Sequence, residues 1–473
     1  MSTQLVSIRA LNACPRWEFV KPIRMRDLGG GKILLLHPRS GSWTIIGSED
    51  QPIVEAVIKA ADDGLLDELA DLENQPLIKQ FVKTGLLTKD GNAAWLPSDL
   101  DRSKQPVTLL ILKMVGFCNL ACTYCYDYNN VTYNRRMTVT TAETAISQAM
   151  ERAGPRLNIL FHGGEPLLAF DEIRLLVSFA RRKAAQLEKT VEFSIQTNGT
   201  KFASDVVDLL LSERFSIGIS LDGPPEMNDL QRVDHAGRGH YAEIERALNQ
   251  YAGLKDRVGV LTTVTKYNVN HLTQVAEYVR DLGIGTWDTT LFQAEGRGEN
   301  KTDEFNPAAA DVIRSYLSLL DGIEEKKFDA VEICPVLHYI RNVLFLRQAN
   351  MCLRGGGCGA ARDLVSISVD GTIEACDCIK QPELRLGSLG NTTIGTALDS
   401  STAEAIRSRS ESKLETCATC DVRVFCGGTC LAKAGGLTKV DSLECQLSLA
   451  LFPSIFERVA QSDRIEEYAR LYP

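Results

Sequence analysis

The chain has 473 residues, of which 52 are basic and 61 acidic, giving a formal net charge of −9. Hydrophobic residues make up 44% and charged residues 24%, which is typical of a globular protein and excludes a disordered or fibrous chain. The acidic balance argues against a basic nucleic-acid surface, so we expect no nucleic-acid partner. At roughly 150 residues per domain, the length predicts about three domains.

The 14 cysteines are too dilute for a small disulfide scaffold, and three lie within residues 118–125 and ten within 334–445. The N-terminus has an arginine where a secretory signal needs an apolar core. The most apolar run, from Val107, is interrupted by Lys113 and is shorter than the about 20 residues that cross a bilayer. We therefore expect a cytoplasmic protein with no membrane partner, whose clustered cysteines are metal ligands or catalytic thiols.

Residues 1–95 form the first predicted unit. A strand pair at residues 32–48 is followed by helical patterns at 50–61 and 76–87, which indicates a small winged-helix-like module. A polar segment at 97–106, with a proline at each end, is the expected linker.

Residues 106–300 alternate between apolar, β-branched runs and helical patterns. This rhythm predicts a parallel sheet with helices outside it, and six strands can curl into part of a barrel. The predicted strands lie at 107–115, 157–164, 191–199, 215–223, 257–265 and 286–293, and the predicted helices at 141–153, 171–187, 204–213, 241–254 and 271–283.

The alternation stops after residue 300. Residues 301–350 are predicted as a bridging helical segment, and 351–450 are rich in Gly and Cys, with a hairpin turn at 370–371. The tail, 451–473, has a helical pattern that we expect to be interrupted near Pro453.

Cys118, Cys122 and Cys125 follow the first predicted barrel strand. Three thiolates at spacings of four and three can hold three corners of a cubane iron-sulfur cluster, leaving the fourth iron open for chemistry. A structural zinc site is a weaker interpretation, because it needs four ligands and no histidine lies nearby on the chain.

This CxxxCxxC motif after a first strand resembles that of the radical S-adenosylmethionine (SAM) enzymes, which have a partial (β/α)6 barrel. The resemblance implies that the open iron binds the amino and carboxylate groups of SAM, and that cleavage of SAM yields a 5′-deoxyadenosyl radical. Tyr124 stands where the family commonly has an aromatic residue near the adenine.

Polar residues follow the other predicted strands at positions where the resemblance implies SAM contacts. The Gly-Gly-Glu-Pro segment would take the SAM amino group, the next two strand ends would take the ribose and carboxylate, and an arginine would bind the carboxylate. His162 either lines the same pocket or is structural, and Asp222 is also a candidate turn former. The implied cofactor-binding residues are Tyr124, His162, Gly163, Gly164, Glu165, Pro166, Gln196, Asn198, Ser220, Asp222 and Arg232.

The cysteine spacing of the C-terminal third resembles the SPASM domain, a cysteine-rich extension of radical SAM enzymes. The resemblance implies two fully ligated auxiliary 4Fe–4S clusters, suited to electron transfer or to holding the domain together. The first would be bound by Cys352, Cys358, Cys376 and Cys430, and the second by Cys417, Cys420, Cys426 and Cys445. A pair of zinc sites is the alternative.

Asp377 directly follows one of these cysteines. In the related anaerobic sulfatase-maturating enzymes, an aspartate at this position is proposed to deprotonate the substrate. Asp377 is therefore our candidate catalytic base, and the alternative is a carboxylate that only hydrogen-bonds within a turn.

The N-terminal module resembles the PqqD-like peptide-recognition domain, in which a leader peptide adds a strand to a sheet edge. We place this edge at Lys32 to Ile46. DNA binding by the module is disfavoured, because residues 49–75 contain nine acidic residues and one basic residue.

The predicted fold is α/β: a partial (β/α)6 TIM-type barrel with an N-terminal winged-helix-like domain and a C-terminal cysteine-rich iron-sulfur SPASM domain. The resemblance implies a maturase that binds the leader of a ribosomally made precursor peptide and installs a cyclophane-type C–C or thioether cross-link. It would use SAM, three 4Fe–4S clusters and an electron donor such as flavodoxin or ferredoxin.

Two alternatives remain open from the sequence, a formylglycine-forming sulfatase-maturating enzyme and an iron-sulfur redox-sensing DNA-binding regulator. Three cysteines have no assigned partner. Cys378 is predicted as a substitute ligand or a channel residue, and Cys14 and Cys334 as packing residues.

Overall fold

The computed structural model describes residues 17–63, 76–89, 105–345, 352–353 and 357–472. Cys14 and most of the predicted linker lie outside these residues. Among the described residues, no helix combines the length and the apolar character needed to cross a membrane.

The N-terminal unit contains a three-stranded antiparallel sheet in the order β2-β3-β4 and a separate strand pair, β1-β5. Its elements are β1 (Trp17–Phe19), β2 (Arg24–Gly29), β3 (Lys32–Leu36), β4 (Trp43–Gly47), α1 (Gln51–Asp63), α2 (Pro76–Thr84) and β5 (Leu87–Lys89). The predicted strand pair and both helices are present. The proposed docking edge is wrong for β3, because this strand is paired on both sides and only β4 has an outer edge there.

The six predicted barrel strands all form and pair in parallel in chain order, from β6 to β11. They are β6 (Val107–Lys113), β7 (Ala153–His162), β8 (Thr190–Thr197), β9 (Ser216–Ser220), β10 (Val258–Val264) and β11 (Thr286–Leu291). The helices of this region are α3 (Val139–Arg152), α4 (Phe170–Gln186), α5 (Ser204–Ser212), α6 (Pro225–Gln231), α7 (Tyr241–Gln250) and α8 (Leu272–Asp281).

Apolar residues between sheet and helices form the main core. The rings of Phe161, Phe193 and Phe215 stack on one another with centroids 5.3–6.3 Å apart. Burial of such rings is the main stabilising contribution that holds helices on a parallel sheet.

The barrel sheet continues beyond its six strands in both directions. Its ten strands follow the order β12-β11-β10-β9-β8-β7-β6-β13-β14-β15, with β12 and β13 both parallel to their barrel neighbours. The added strands are β12 (Glu332–Ile333), β13 (Leu364–Ile367), β14 (Thr372–Glu374) and β15 (Arg385–Ser388). The cysteine-rich region therefore shares a sheet with the barrel.

Helices complete the C-terminal half. They are α9 (Thr302–Phe305), α10 (Ala309–Glu324), α11 (Cys334–Phe345), α12 (Ile394–Leu398), α13 (Ser401–Arg407), α14 (Arg423–Cys426), α15 (Leu431–Ala434), α16 (Ser442–Gln461) and α17 (Arg464–Leu471). The expected interruption near Pro453 is wrong, because α16 runs through this residue. Leu449, whose carbonyl loses the proline's N–H, is 51% exposed, so water can reach that carbonyl.

The N-terminal sheet packs on α16. The Trp43 indole donates to the Val343 carbonyl at 2.8 Å and meets the Phe456 ring edge-on at 5.2 Å. Two ion pairs at 2.8 Å, Arg24–Asp421 and Arg26–Glu457, flank this contact, but they are exposed and contribute little.

Replacing Trp43 by alanine is expected to loosen the N-terminal unit from α16. Because the ring is half-buried, the loss of stabilising free energy should be about 2–3 kcal/mol. This is at or below the low end of the cost of truncating an aromatic side chain in a core. Limited trypsin digestion should then release an N-terminal fragment faster than from the wild type. Trp43→Phe keeps the ring packing and should be cut at an intermediate rate; equal rates for all three proteins would contradict this docking.

A cysteine-lined candidate active site

A cavity of about 340 Å³ lies at the carboxyl ends of the barrel strands. Cys118, Cys122 and Cys125 line it together with Asp377, which comes from the cysteine-rich region. Seven of the predicted SAM-contacting residues also line it: Tyr124, His162, Gly164, Gln196, Asn198, Ser220 and Arg232. Gly163, Glu165, Pro166 and Asp222 do not line it. The carboxyl end of a parallel barrel is where enzymes of this architecture place their chemistry.

The cysteine loop is held by backbone and side-chain contacts from neighbouring loops. Ala121 and Thr123 donate their amides to the carbonyls of Val233 and Gln231, at 2.7 and 3.0 Å. The Asn198 amide also lies 3.5 Å from the Cys118 sulfur. These contacts fix the conformation of the cysteine loop.

The donor set of this loop fits a multi-iron cluster. Burial raises the pKa of the Cys118 thiol to about 12 and that of Cys125 to about 11, so three thiolates here need a strongly positive group beside them. The iron ions of an iron-sulfur cluster supply this positive charge.

The cavity also has unsatisfied polar atoms that fit SAM. The Nε atom of Arg232 and the Nδ1 atom of His162 are buried with no hydrogen-bond partner among the described residues. A buried guanidinium with an unpartnered N–H group suits a carboxylate group. Burial lowers the pKa of His162, although Asp377 and Asp127 oppose this effect.

Tyr124, Asp222 and Arg232 form one buried network. The Tyr124 hydroxyl donates to Asp222 at 2.5 Å and accepts from Arg232 at 2.6 Å. Burial raises the pKa of Asp222, although Arg232 opposes this effect. Asp222, which does not line the cavity, thus orients Arg232 through the Tyr124 hydroxyl.

Glu165 holds two strand ends together. It is fully buried, and its carboxylate accepts from Leu167 N at 3.0 Å, Thr197 Oγ1 at 2.7 Å and Asn198 N at 2.7 Å. Both oxygens are thus engaged within the protein. Its predicted contact with SAM stays a prediction, and the structure assigns it a positioning contact.

Asp377 belongs to a buried network that sequence reasoning missed. Its carboxylate accepts from Tyr126 at 2.8 Å, and its carbonyl accepts from Lys113 at 3.1 Å. Burial opposes the charge on Asp377, but His162 and Lys113 outweigh it and lower the pKa, so the group is a carboxylate at neutral pH. The sequence signal for this network is Lys113, the single charged residue in the apolar run that starts at Val107.

The first predicted auxiliary ligand set comes together. Burial first, and then the thiols of Cys430 and Cys358, raise the pKa of Cys352. A hydrogen bond with Cys378, followed by burial, Asp377 and the thiols of Cys378 and Cys352, raises the pKa of Cys376. Cys378 therefore lies among these four cysteines, and it also lines the cavity.

The second predicted set also comes together. Burial, followed by the thiols of Cys426, Cys420 and Cys445, raises the pKa of Cys417 to about 12. As with the first loop, such thiols become ligands when a metal group supplies positive charge.

Gly164 lies in the glycine pair after β7 and is expected to tolerate no side chain. It has a φ of +52°, and an added Cβ would lie 2.0 Å from the Phe117 carbonyl oxygen, next to the cysteine loop. Gly164→Ala should therefore displace this loop, remove about four irons from the anaerobically reconstituted protein and abolish SAM cleavage. Gly237→Ala is the control, because Gly237 also has a positive φ but no atom within 4 Å of the added Cβ. Full iron content in Gly164→Ala would contradict the assignment.

Comparison with known proteins agrees with this geometry. A profile of the radical SAM superfamily matches residues 112–279, and the SPASM profile, an iron-sulfur cluster-binding domain, matches residues 358–421. The chain is 24% identical over 340 residues to the cysteine-type anaerobic sulfatase-maturating enzyme of Clostridium perfringens, which covers 69% of this chain and 89% of that enzyme.

Solved structures share the fold. The structure of native anSMEcpe with bound AdoMet and Kp18Cys peptide has a TM-score of 0.67 and 22% identity, and covers 77% of this chain and 100% of that chain. Streptococcus suis SuiB bound to precursor peptide SuiA has a TM-score of 0.54 and 13% identity, and covers 91% of this chain and 100% of that chain. The protein thus contains a radical SAM domain followed by a SPASM domain, and it is a radical SAM enzyme.

Proposed function

We propose that the protein is a maturase that removes two electrons from one side chain of a polypeptide substrate. One observation carries this proposal: the carboxylate of Asp377 and the three cysteines of the first loop line the same cavity. A site of this kind can remove a hydrogen atom from a substrate carbon and a proton from the heteroatom bonded to that carbon.

The bound SAM and its cluster would supply a 5′-deoxyadenosyl radical that takes a hydrogen atom from the substrate carbon. Asp377 then accepts a proton from the substrate radical, with Tyr126 holding its carboxylate in place. Cys376, directly before Asp377, would hold an auxiliary cluster that could accept the remaining electron, so that the substrate would be oxidised by two electrons in total. A one-electron donor such as flavodoxin or ferredoxin would restart the cycle.

A second cavity provides a route for the substrate chain. It has a volume of about 550 Å³ and shares Gly116, Tyr126, Asp127 and Tyr128 with the first. Its walls come from both the barrel and the cysteine-rich region, and most of its lining residues are polar. Such a groove suits a peptide backbone, whose N–H and C=O groups need partners.

Formylglycine formation is the better supported reaction, and cross-linking, our first expectation from the sequence, is less well supported. The sulfatase-maturating enzymes are similar to the chain in sequence over 69% of its length, whereas SuiB is similar in fold at 13% identity. In this reaction the oxidised cysteine is a thioaldehyde, and water converts it to an aldehyde with release of hydrogen sulfide.

The N-terminal unit supports the cross-linking reaction as a second candidate. β4 is paired on one side only, and its other edge faces α2, where Gln80 donates to the Ile45 carbonyl at 3.1 Å. A leader peptide could add a strand there by displacing Gln80.

A hydrazide reagent separates the two reactions, because formylglycine carries an aldehyde and a cross-link does not. Incubation with cysteine-containing peptides, and with short peptides encoded beside the gene, should give a hydrazide-reactive product if the first reaction is correct. A product two hydrogens lighter that does not react with hydrazide would favour cross-linking.

Three clusters are the proposed cofactor content, each bound by its predicted cysteines. The anaerobically reconstituted protein should therefore contain about twelve irons per chain. Replacing Cys118, Cys122 and Cys125 together by alanine should remove about four of these irons and all SAM cleavage. About four irons in the wild type would contradict the two auxiliary clusters.

Asp377→Asn is expected to slow substrate oxidation by about 10²-fold, because the amide cannot accept the proton. 5′-Deoxyadenosine should still form, so that SAM cleavage exceeds product formation; mass spectrometry measures both. Asp171→Asn, at an exposed site on α4, is the matched control. Unchanged coupling in Asp377→Asn would remove the proposed base.

A further inference from the structure

Asp288, Cys334 and His338 come together away from the three predicted cluster sites. Cys334 is the first residue of α11, and His338 follows one turn later on the same face of the helix. Asp288 lies on β11, opposite Leu261 of β10, which lines the active-site cavity. The three residues therefore join α11 to the inner face of the barrel sheet.

The three side chains are spaced as ligands of one ion. A donor atom from each lies within 4.8 Å of the other two. The His338 Nε2 atom is 3.7 Å from Asp288 Oδ2, which is too long for a hydrogen bond. Two ligands of a tetrahedral zinc ion, each about 2.1 Å from the metal, lie about 3.4 Å apart. To bind an ion between them, the His338 Nε2 and Asp288 Oδ2 atoms need only a small change in their separation.

The surroundings prepare these side chains for binding. Asp288 Oδ1 accepts the Thr289 amide at 2.8 Å, which leaves Oδ2 directed at the histidine. Cys334 is buried, whereas the Asp288 side chain is 37% exposed, so an ion can enter from one side and keep a water molecule.

We propose that Asp288, Cys334 and His338 bind one zinc ion, with water as the fourth ligand. One thiolate, one imidazole and one carboxylate are a donor set that zinc prefers, and a single cysteine cannot hold an iron-sulfur cluster. Cys334, which the sequence suggests to be a packing residue, becomes a ligand in this assignment.

The ion would stabilise the open side of the partial barrel. β12 pairs with β11 through two residues only, and α11 follows it directly. Arg341 of α11 lies 3.3 Å from Glu332 of β12, which adds a polar link at this corner. Asn342 of α11 donates to the carbonyl of Leu353, next to Cys352, at 2.9 Å, so the zinc ion would also restrict the position of the first predicted auxiliary-cluster ligand.

The test uses the full-length protein, reconstituted anaerobically with iron and sulfide and then equilibrated with zinc. We expect about one zinc per chain, and X-ray absorption at the zinc edge should show one sulfur neighbour at about 2.3 Å with three nitrogen or oxygen neighbours. Four sulfur neighbours would mean that zinc occupies the cluster cysteines, and would overturn the proposal, as would substoichiometric zinc.

Two variants and a control locate the ion. Cys334→Ser and His338→Ala should each lose the zinc, while the iron content reports whether the cluster-binding regions are still folded. His271→Ala, at an exposed histidine, should keep it. If either variant keeps both iron and zinc, the assignment is wrong; if a variant loses iron as well, the wild-type absorption spectrum decides.

Discussion

The buried ammonium group of Lys113 connects the two cysteine-bearing halves of the active site. It lies at the end of β6, 2.5 Å from Asp127 of the first cysteine loop and 3.1 Å from the Asp377 carbonyl. Its side chain is 5% exposed. Burial disfavours its charge, but Asp127 and Glu374 outweigh this effect and raise its pKa, so it stays protonated. Removing one partner of such a buried pair leaves an uncompensated charge, at a cost of about 3–5 kcal/mol.

Much of the barrel could be predicted from the sequence, because strands buried on both faces appear as continuous apolar runs. β2 was missed because four of its first five residues are exposed and give no apolar signal. β12 has two residues, too few for any pattern. The pairing of β13 with β6 joins residues more than 250 positions apart, and no local pattern records such a contact.

Part of the candidate site could also be predicted, because local sequence patterns mark some of its residues. Motif cysteines and strand-end polar residues are recognisable by spacing, and seven of the implied SAM contacts line the cavity. The supporting contacts depend on tertiary structure. Spacing could not show that the oxygens of Glu165 are already engaged, or that Tyr126 would reach Asp377.

The position of β13 also limits how the chain can be divided. β6 is covered on one side by β7 and on the other by β13, so a chain that ended before Leu364 would leave the backbone N–H and C=O groups of one edge of β6 unpaired. Uncovered edges of this kind template association with other chains. The cysteine-rich region is therefore a structural part of the barrel, and any exchange of this region between related enzymes must begin after β13.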